Sequence, residues 1–168
     1  EMRRPALRYF GGKFLLAKWI ISHFPKHRVY VEPFGGGASV LLQKPRAYAE
    51  VYNDLDSQIV NFFRVLQDPD HAKKLESLLR VTPFAREEFN ISKENSADPV
   101  ENARRMIIRS FMGFGADSVL DAGKSTGFRA SSNRPGTTPA HDWANYWDVI
   151  SDFTERLNGV VIENRPAI

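Results

Sequence analysis

Three consecutive glycines, Gly35, Gly36 and Gly37, separate an apolar run, Val29-Tyr30-Val31, from a second one that opens at Ala38. Glycine lets the backbone come close to a ligand, and the first turn of a helix offers unpaired N–H groups to a negative group. Asp54 follows 17 residues after Gly37, at the end of the next apolar run. In a strand–loop–helix–strand unit, a carboxylate there accepts hydrogen bonds from both hydroxyls of a ribose. Loop and acid together point to a ligand of the adenosine type. A tight turn with a surface aspartate is the plainer alternative.

Neighbouring residues narrow the choice of ligand. A dinucleotide fingerprint needs Gly-x-Gly-x-x-Gly; Gly35 and Gly37 fit, but the third position is Val40, where close helix–strand packing wants glycine. Gly123-Lys124-Ser125 has the letters of a phosphate-binding loop, yet it follows no apolar strand, and Ser118 stands where the first glycine belongs. Near the start, Arg8-Tyr9-Phe10-Gly11-Gly12-Lys13 sets an aromatic, two flexible residues and a cation just before a helix. Tyr9 suits a cationic sulfonium and Lys13 an amino-acid carboxylate. Carboxylate, sulfonium and ribose together describe S-adenosylmethionine, although the hexapeptide alone also reads as a turn with a surface lysine.

The elements that must hold these residues follow from periodicity. Residues 14–24 place Leu15, Leu16, Trp19, Ile20 and Phe24 at helical spacing before Pro25. Residues 28–31 and 47–52 read as strands flanking the glycine loop and a helix, which is a parallel β-α-β unit. Ile59, Phe62, Phe63 and Leu66 share a helical face, and Leu75, Leu78 and Leu79 repeat it after Asp68-Pro69. Asp98-Pro99-Val100-Glu101 carries the N-cap, first-turn proline and acid of a helix start, and that helix runs to Gly113. Residues 113–139, rich in Gly, Ser, Thr, Asn and Pro, read as a long loop or hairpin. One last helix carries Trp143, Tyr146, Trp147, Ile150, Phe153 and Leu157, an aromatic stripe that reads as core. Asn158-Gly159 ends it, and residues 160–164 form a third strand.

The 168 residues contain no cysteine, which excludes disulfides and thiolate metal sites and fits a reducing cytoplasm. No apolar run approaches the roughly 18 residues of a membrane span. The net charge of +3 is unevenly spread. Residues 1–50 hold nine Lys/Arg against three acids, residues 51–100 six against nine, and residues 122–141 hold Lys124, Arg129 and Arg134 with no acid. A basic patch of this kind suits a polyanion.

Tyr-Phe-Gly-Gly-Lys at 9–13, Val-Glu-Pro-Phe-Gly-Gly-Gly-Ala-Ser-Val at 31–40 and Tyr-Asn-Asp-Leu-Asp at 52–56 resemble, in order and spacing, the N-terminal motifs of Dam-type (alpha-group) DNA adenine-N6 methyltransferases. The resemblance implies an α/β, Rossmann-like S-adenosylmethionine-dependent methyltransferase fold with a partial sheet and a helical DNA-recognition insert. Residues 1–58 plus 159–168 are then the cofactor-binding part, and 59–158 the insert. It assigns Tyr9, Lys13, Phe34, Gly35 and Gly37 to the methionine end of the cofactor and Asp54 to its ribose, with Glu163 and Asn164 beside the adenine. The family often has Trp where Tyr9 stands. The implied partner is double-stranded DNA, the product of the cofactor S-adenosylhomocysteine, and the setting restriction-modification. No metal is implied. In the basic loop, Lys124, Arg129, Asn133 and Arg134 are the candidate DNA contacts, a solvated loop being the plainer alternative, with Arg105 and Arg109 on the preceding helix as the next candidates.

The family's catalytic loop reads Asp-Pro-Pro-Tyr. A side-chain oxygen and a backbone carbonyl accept hydrogen bonds from the adenine amino group, and the aromatic stacks on the flipped base. No two prolines are adjacent in this sequence, and its two Asp-Pro steps, at 68–69 and 98–99, sit at helix starts. The chain is therefore expected to be a truncated form without catalytic residues, inactive alone. It would be completed by a C-terminal half of the same enzyme, or serve as a non-catalytic DNA-binding module or half of a split enzyme. A nucleotide-binding oxidoreductase fragment is the remaining alternative, weakened by Val40.

Overall fold

A computed structural model of the chain describes residues 2–8, 12–113, 127–129 and 137–168. Within them lies a mixed α/β arrangement built on a small parallel sheet, β1 (Val29–Glu32), β2 (Ala49–Asn53) and β3 (Val161–Glu163), in the order β1-β2-β3. The register sets Val31 opposite Val51 and Val51 opposite Val161. Because strand side chains alternate, Val29, Val31, Ala49, Val51 and Val161 share one face, and Tyr30, Glu50, Tyr52 and Ile162 share the other.

That second face is the packed one. Between β1 and β2 runs the short helix α2 (Ser39–Gln43), and α1 (Ala17–Ser22) packs against it. Beyond β2 come α3 (Ser57–Gln67), α4 (Pro69–Arg80), α5 (Arg86–Ile91), α6 (Pro99–Met112), α7 (Pro139–Ala144) and α8 (Ile150–Leu157). Asp56, Asp68 and Asp98 cap α3, α4 and α6 by accepting hydrogen bonds from first-turn N–H groups. The Tyr52 ring packs 4.8 Å from Phe63 of α3, so the sheet and the helices share one continuous core that includes Phe62, Leu75, Met106 and Phe153.

Two helical expectations are corrected. The first helix is shorter than 14–24; of the residues at helical spacing, Leu15, Leu16 and Trp19 are exposed and Ile20 and Phe24 half-buried, while the small Ala17 lies buried. The aromatic stripe 143–157 is not one helix. Asn145 turns its side chain back to the His141 carbonyl (3.0 Å) and ends α7, and the i→i+3 hydrogen bonds of Tyr146 and Val149 tighten the chain before α8 begins. Trp143, Tyr146, Ile150, Phe153 and Leu157 are nonetheless buried, as core residues should be.

Candidate functional site

The glycine loop turns sharply as it leaves β1. The Gly35 N–H donates to the Asn53 carbonyl (2.8 Å), and the Ala38 N–H donates to the Gly35 carbonyl (2.9 Å). Gly36 and Ala38 both hold left-handed backbone, at φ 50° and 54°, which costs alanine about 1–2 kcal/mol. At Gly35 a Cβ would stand 2.1 Å from Cε2 of Tyr52, so only glycine fits above that ring. The Tyr52 hydroxyl in turn donates to the Gly36 carbonyl (2.7 Å).

Asp54 holds the same loop from the other side. Its Oδ2 accepts from the Gly36 N–H and its Oδ1 from the Asp56 N–H, both at 2.9 Å. An ionised carboxylate has roughly four acceptor positions, so this clamp leaves capacity for ribose hydroxyls. Asn164 donates through Nδ2 to the carbonyls of Asp54 and Leu55 (3.0 Å each), which ties the end of β3 to the same turn. Glu163 closes β3 opposite Asn53 and is half-buried.

A cleft of about 490 Å³ opens beside the loop, and Lys13, Phe34, Gly35 and Gly37 line it together, with Glu32 and Gly36. Asp54 touches the loop, Glu163 and Asn164 lie beside Asp54 at the ends of β2 and β3, and none of the three lines this cleft. Tyr9 lies outside the described residues.

Glu32 is the residue that motif reasoning passed over. Its Oε1 accepts from the Tyr30 hydroxyl (3.1 Å) and the Leu41 N–H (3.0 Å), while the buried Oε2 finds no partner among the described residues. Burial pushes the carboxyl up to about 7, against the pull of the Leu41 and Tyr30 hydrogen bonds and of Arg156. The signal for it was present: an acid ending an otherwise apolar strand, directly before the glycine loop. An amino-acid zwitterion needs one cation and one anion, and this cleft supplies Lys13 and Glu32. The donor set therefore fits the amino-acid end of S-adenosylmethionine.

Of the DNA candidates, three are described. Lys124, Asn133 and Arg134 lie outside the described residues. Arg105 donates to Glu101 (2.9 Å) and to the Glu94 carbonyl (2.7 Å). Arg109 is 4% exposed and donates to the Ser92 carbonyl, and burial, with Arg105 nearby, lowers its pKa to about 10. Both guanidinium groups are engaged inside the fold, tying α6 to the segments around α5. Arg129 differs. Its N–H donates to the Met112 carbonyl (2.6 Å), and it lines a second cleft with Arg4 and Arg8. Among the described residues, no cluster of three His, Asp or Glu side chains is set to hold a metal, and no helix is long and apolar enough to cross a membrane.

Residues 9–130 match the family described as D12 class N6 adenine-specific DNA methyltransferase. That span exceeds half of the 168 residues and takes in the glycine loop, Asp54 and α3 to α6. The chain belongs to this family. Among similar proteins, the DNA N-6-adenine-methyltransferase of Escherichia phage P1 is 32% identical over 73 residues, 43% of this chain and 9% of that protein. The modification methylase StsI of Streptococcus sanguinis is 32% identical over 91 residues, 53% of this chain and 13% of its own length. A DNA adenine methylase of Vibrio cholerae is 33% identical over 73 residues, 43% of this chain and 26% of its own. The chain thus spans between 9% and 26% of the length of these relatives.

Proposed function

We propose that this chain is the cofactor-binding and DNA-recognition part of an enzyme that transfers a methyl group from S-adenosylmethionine to adenine N6 in double-stranded DNA. The observation that carries the reading is the loop clamp: Gly36 held by Asp54, with Lys13 and Glu32 lining one cleft beside it. On this reading the sheet is the start of a Rossmann-like methyltransferase fold. Residues 1–58 and 159–168 serve the cofactor, and the helices of 59–158 serve DNA, packed onto the sheet through a shared core. Lys13 holds the carboxylate of the cofactor, Glu32 its ammonium group and Asp54 its ribose, with Tyr9 against the sulfonium and Glu163 and Asn164 beside the adenine. The bound cofactor supplies an activated methyl group. The residues of this chain orient it and keep water from its amino-acid end.

The 168 residues hold no Asp-Pro-Pro-Tyr, the loop that in this family accepts the adenine amino hydrogens. They are expected to transfer no methyl alone, and to do so only when mixed with a polypeptide that carries that loop. The reading as a non-catalytic DNA-binding module rests on the same absence, and the mixing assay separates the two.

Calorimetric titration with S-adenosylhomocysteine, with NAD as the control, tests the cofactor assignment. Binding of the first and not the second is expected. Asp54→Ala removes a charged acceptor worth roughly 1.5–3 kcal/mol, so affinity should fall about tenfold to a hundredfold. Equal affinity in the variant removes Asp54 from the ribose site, and no binding by the parent chain defeats the whole reading.

A further inference from the structure

A second cleft lies at the far end of the N-terminal segment. It measures about 270 Å³ and is lined by Arg4, Arg8, Phe111, Arg129, Thr137 and Asp142, among others. Three of these side chains are cations and one is an anion. The Asp142 carboxylate already accepts from the Thr137 hydroxyl. Among the described residues, no carboxylate lies within 4.0 Å of the Arg4, Arg8 or Arg129 side-chain nitrogens.

Of the three cations, Arg4 has its guanidinium fixed chiefly by neutral groups, with the Asp142 carboxylate near enough to attract it without an ion pair. The Arg4 guanidinium sits over the rings of Phe111 and Tyr146, 5.2 Å from each centroid, and donates to the Asp142 carbonyl at 3.4 Å. Ring faces and a carbonyl fix the group in place and leave its charge intact. Arg8 is set by its own N–H, which donates to Ser110 Oγ (2.9 Å). Arg129 follows Phe128, whose ring lies 5.5 Å from Phe84 and 6.0 Å from Phe89 and anchors that short segment against α5. Ser110, Met112 and Gly113 at the end of α6 thus hold both flanking strips of chain.

We propose that this cleft seats a backbone phosphate of the DNA, with Arg4 and Arg129 as the cations that hold it and Arg8 at its rim. The proposal rests on the reading that the chain binds DNA. Lining chemistry suits a phosphate group better than a base, since small-molecule pockets are mostly apolar and three of the side chains here are cations. Placement suits a polymer better than a free anion. Arg8 is five residues before Lys13, which lines the first cleft, so the Cα atoms of these two residues are at most about 18 Å apart. A DNA strand carries a phosphate about every 3.4 Å of axis, so one strand can reach both.

The test measures binding of the 168-residue chain to a panel of short duplexes by fluorescence anisotropy over a range of salt. Each phosphate contact contributes about 0.9 to the slope of log affinity against log salt. Arg129→Ala is expected to lower the slope by about one unit and weaken binding about tenfold on every duplex alike. Arg129→Lys should retain most of the slope, and Arg4→Gln should repeat the loss. Affinity for S-adenosylhomocysteine should be unchanged in all three, which also shows that they fold. A parent slope in both Arg4→Gln and Arg129→Ala overturns the proposal, as does a loss confined to duplexes differing at one base pair, which makes Arg129 a base reader. Saturation of the cleft by inorganic phosphate with no effect on the DNA slope also overturns it, in favour of a free anion. If the parent chain binds S-adenosylhomocysteine but no duplex, the DNA reading itself fails and takes this inference with it.

Discussion

Burial beside the glycine loop pushes the Glu32 carboxyl up to about 7, so in neutral solution it is divided between charged and neutral forms. An ammonium group is held by the charged form alone. Affinity for S-adenosylhomocysteine should therefore rise from about pH 6 to about pH 8 and level off above. Stability runs the opposite way. The folded pKa stands above the unfolded value of about 4.3, so the proton is bound more tightly in the fold. That contribution is complete below the unfolded value and is lost as pH rises through about 7. Glu32→Gln keeps an acceptor for Tyr30 and Leu41, so it should flatten both profiles while weakening cofactor binding. Calorimetry and thermal melting across that range check the pair of slopes, and an unaltered affinity profile in the variant would remove Glu32 from the site. Gly35 is governed by space instead. Its Cβ would fall 2.1 Å from the Tyr52 ring, and overpacking of this kind costs about 1–3 kcal/mol. Gly35→Ala is expected to lower the melting temperature, and an unchanged melt would show that the ring can swing aside.

Glu50 joins three elements. From β2 it accepts hydrogen bonds from Lys44 Nζ, just past α2, at 3.1 Å, and from Arg156 of α8 at 2.8 and 2.9 Å. Burial pushes its carboxyl up, but the hydrogen bonds from Arg156 and Lys44 outweigh that and hold it below the usual carboxylate range. Its contribution to stability is thus present above the unfolded value of about 4.3 and disappears as pH falls through the lowered one. Glu50→Gln leaves the buried Lys44 and the partly buried Arg156 poorly matched and should cost about 3 kcal/mol, the low end for a buried pair; urea titration at neutral pH measures it. This network was invisible in the sequence because its members are up to 112 positions from their partners. The glycine loop, the three strands and the Asp98-Pro99 helix start were legible because their signals are local. Arg109 shows the limit of periodicity. Spacing tells which residues share a helix face, and it does not tell that the end of α6 is buried on every side, or that the Ser92 carbonyl waits for the guanidinium. Glu32 likewise took its meaning from Leu41 and Tyr30, which only the folded chain brings to it.

At the scale of the whole chain, the described residues cover the sheet on one face only. Val29, Val31 and Val161 are half or more exposed and lie beside Ala49 and Val51 on the other face, whereas parallel sheets are ordinarily covered on both. Leu15, Leu16 and Trp19 of the N-terminal helical region add further apolar surface. Edge strands with apolar faces invite pairing with other chains. The 168-residue chain is therefore expected to self-associate reversibly, and Val31→Thr with Val161→Thr should shift sedimentation toward monomer. A parent chain that stays monomeric at high concentration would contradict this. The open face has a thermal consequence as well. Association driven by apolar surface weakens on cooling, so between about 25 and 5 °C the preparation should become more monomeric as it is chilled, and cloudiness on warming should clear again in the cold.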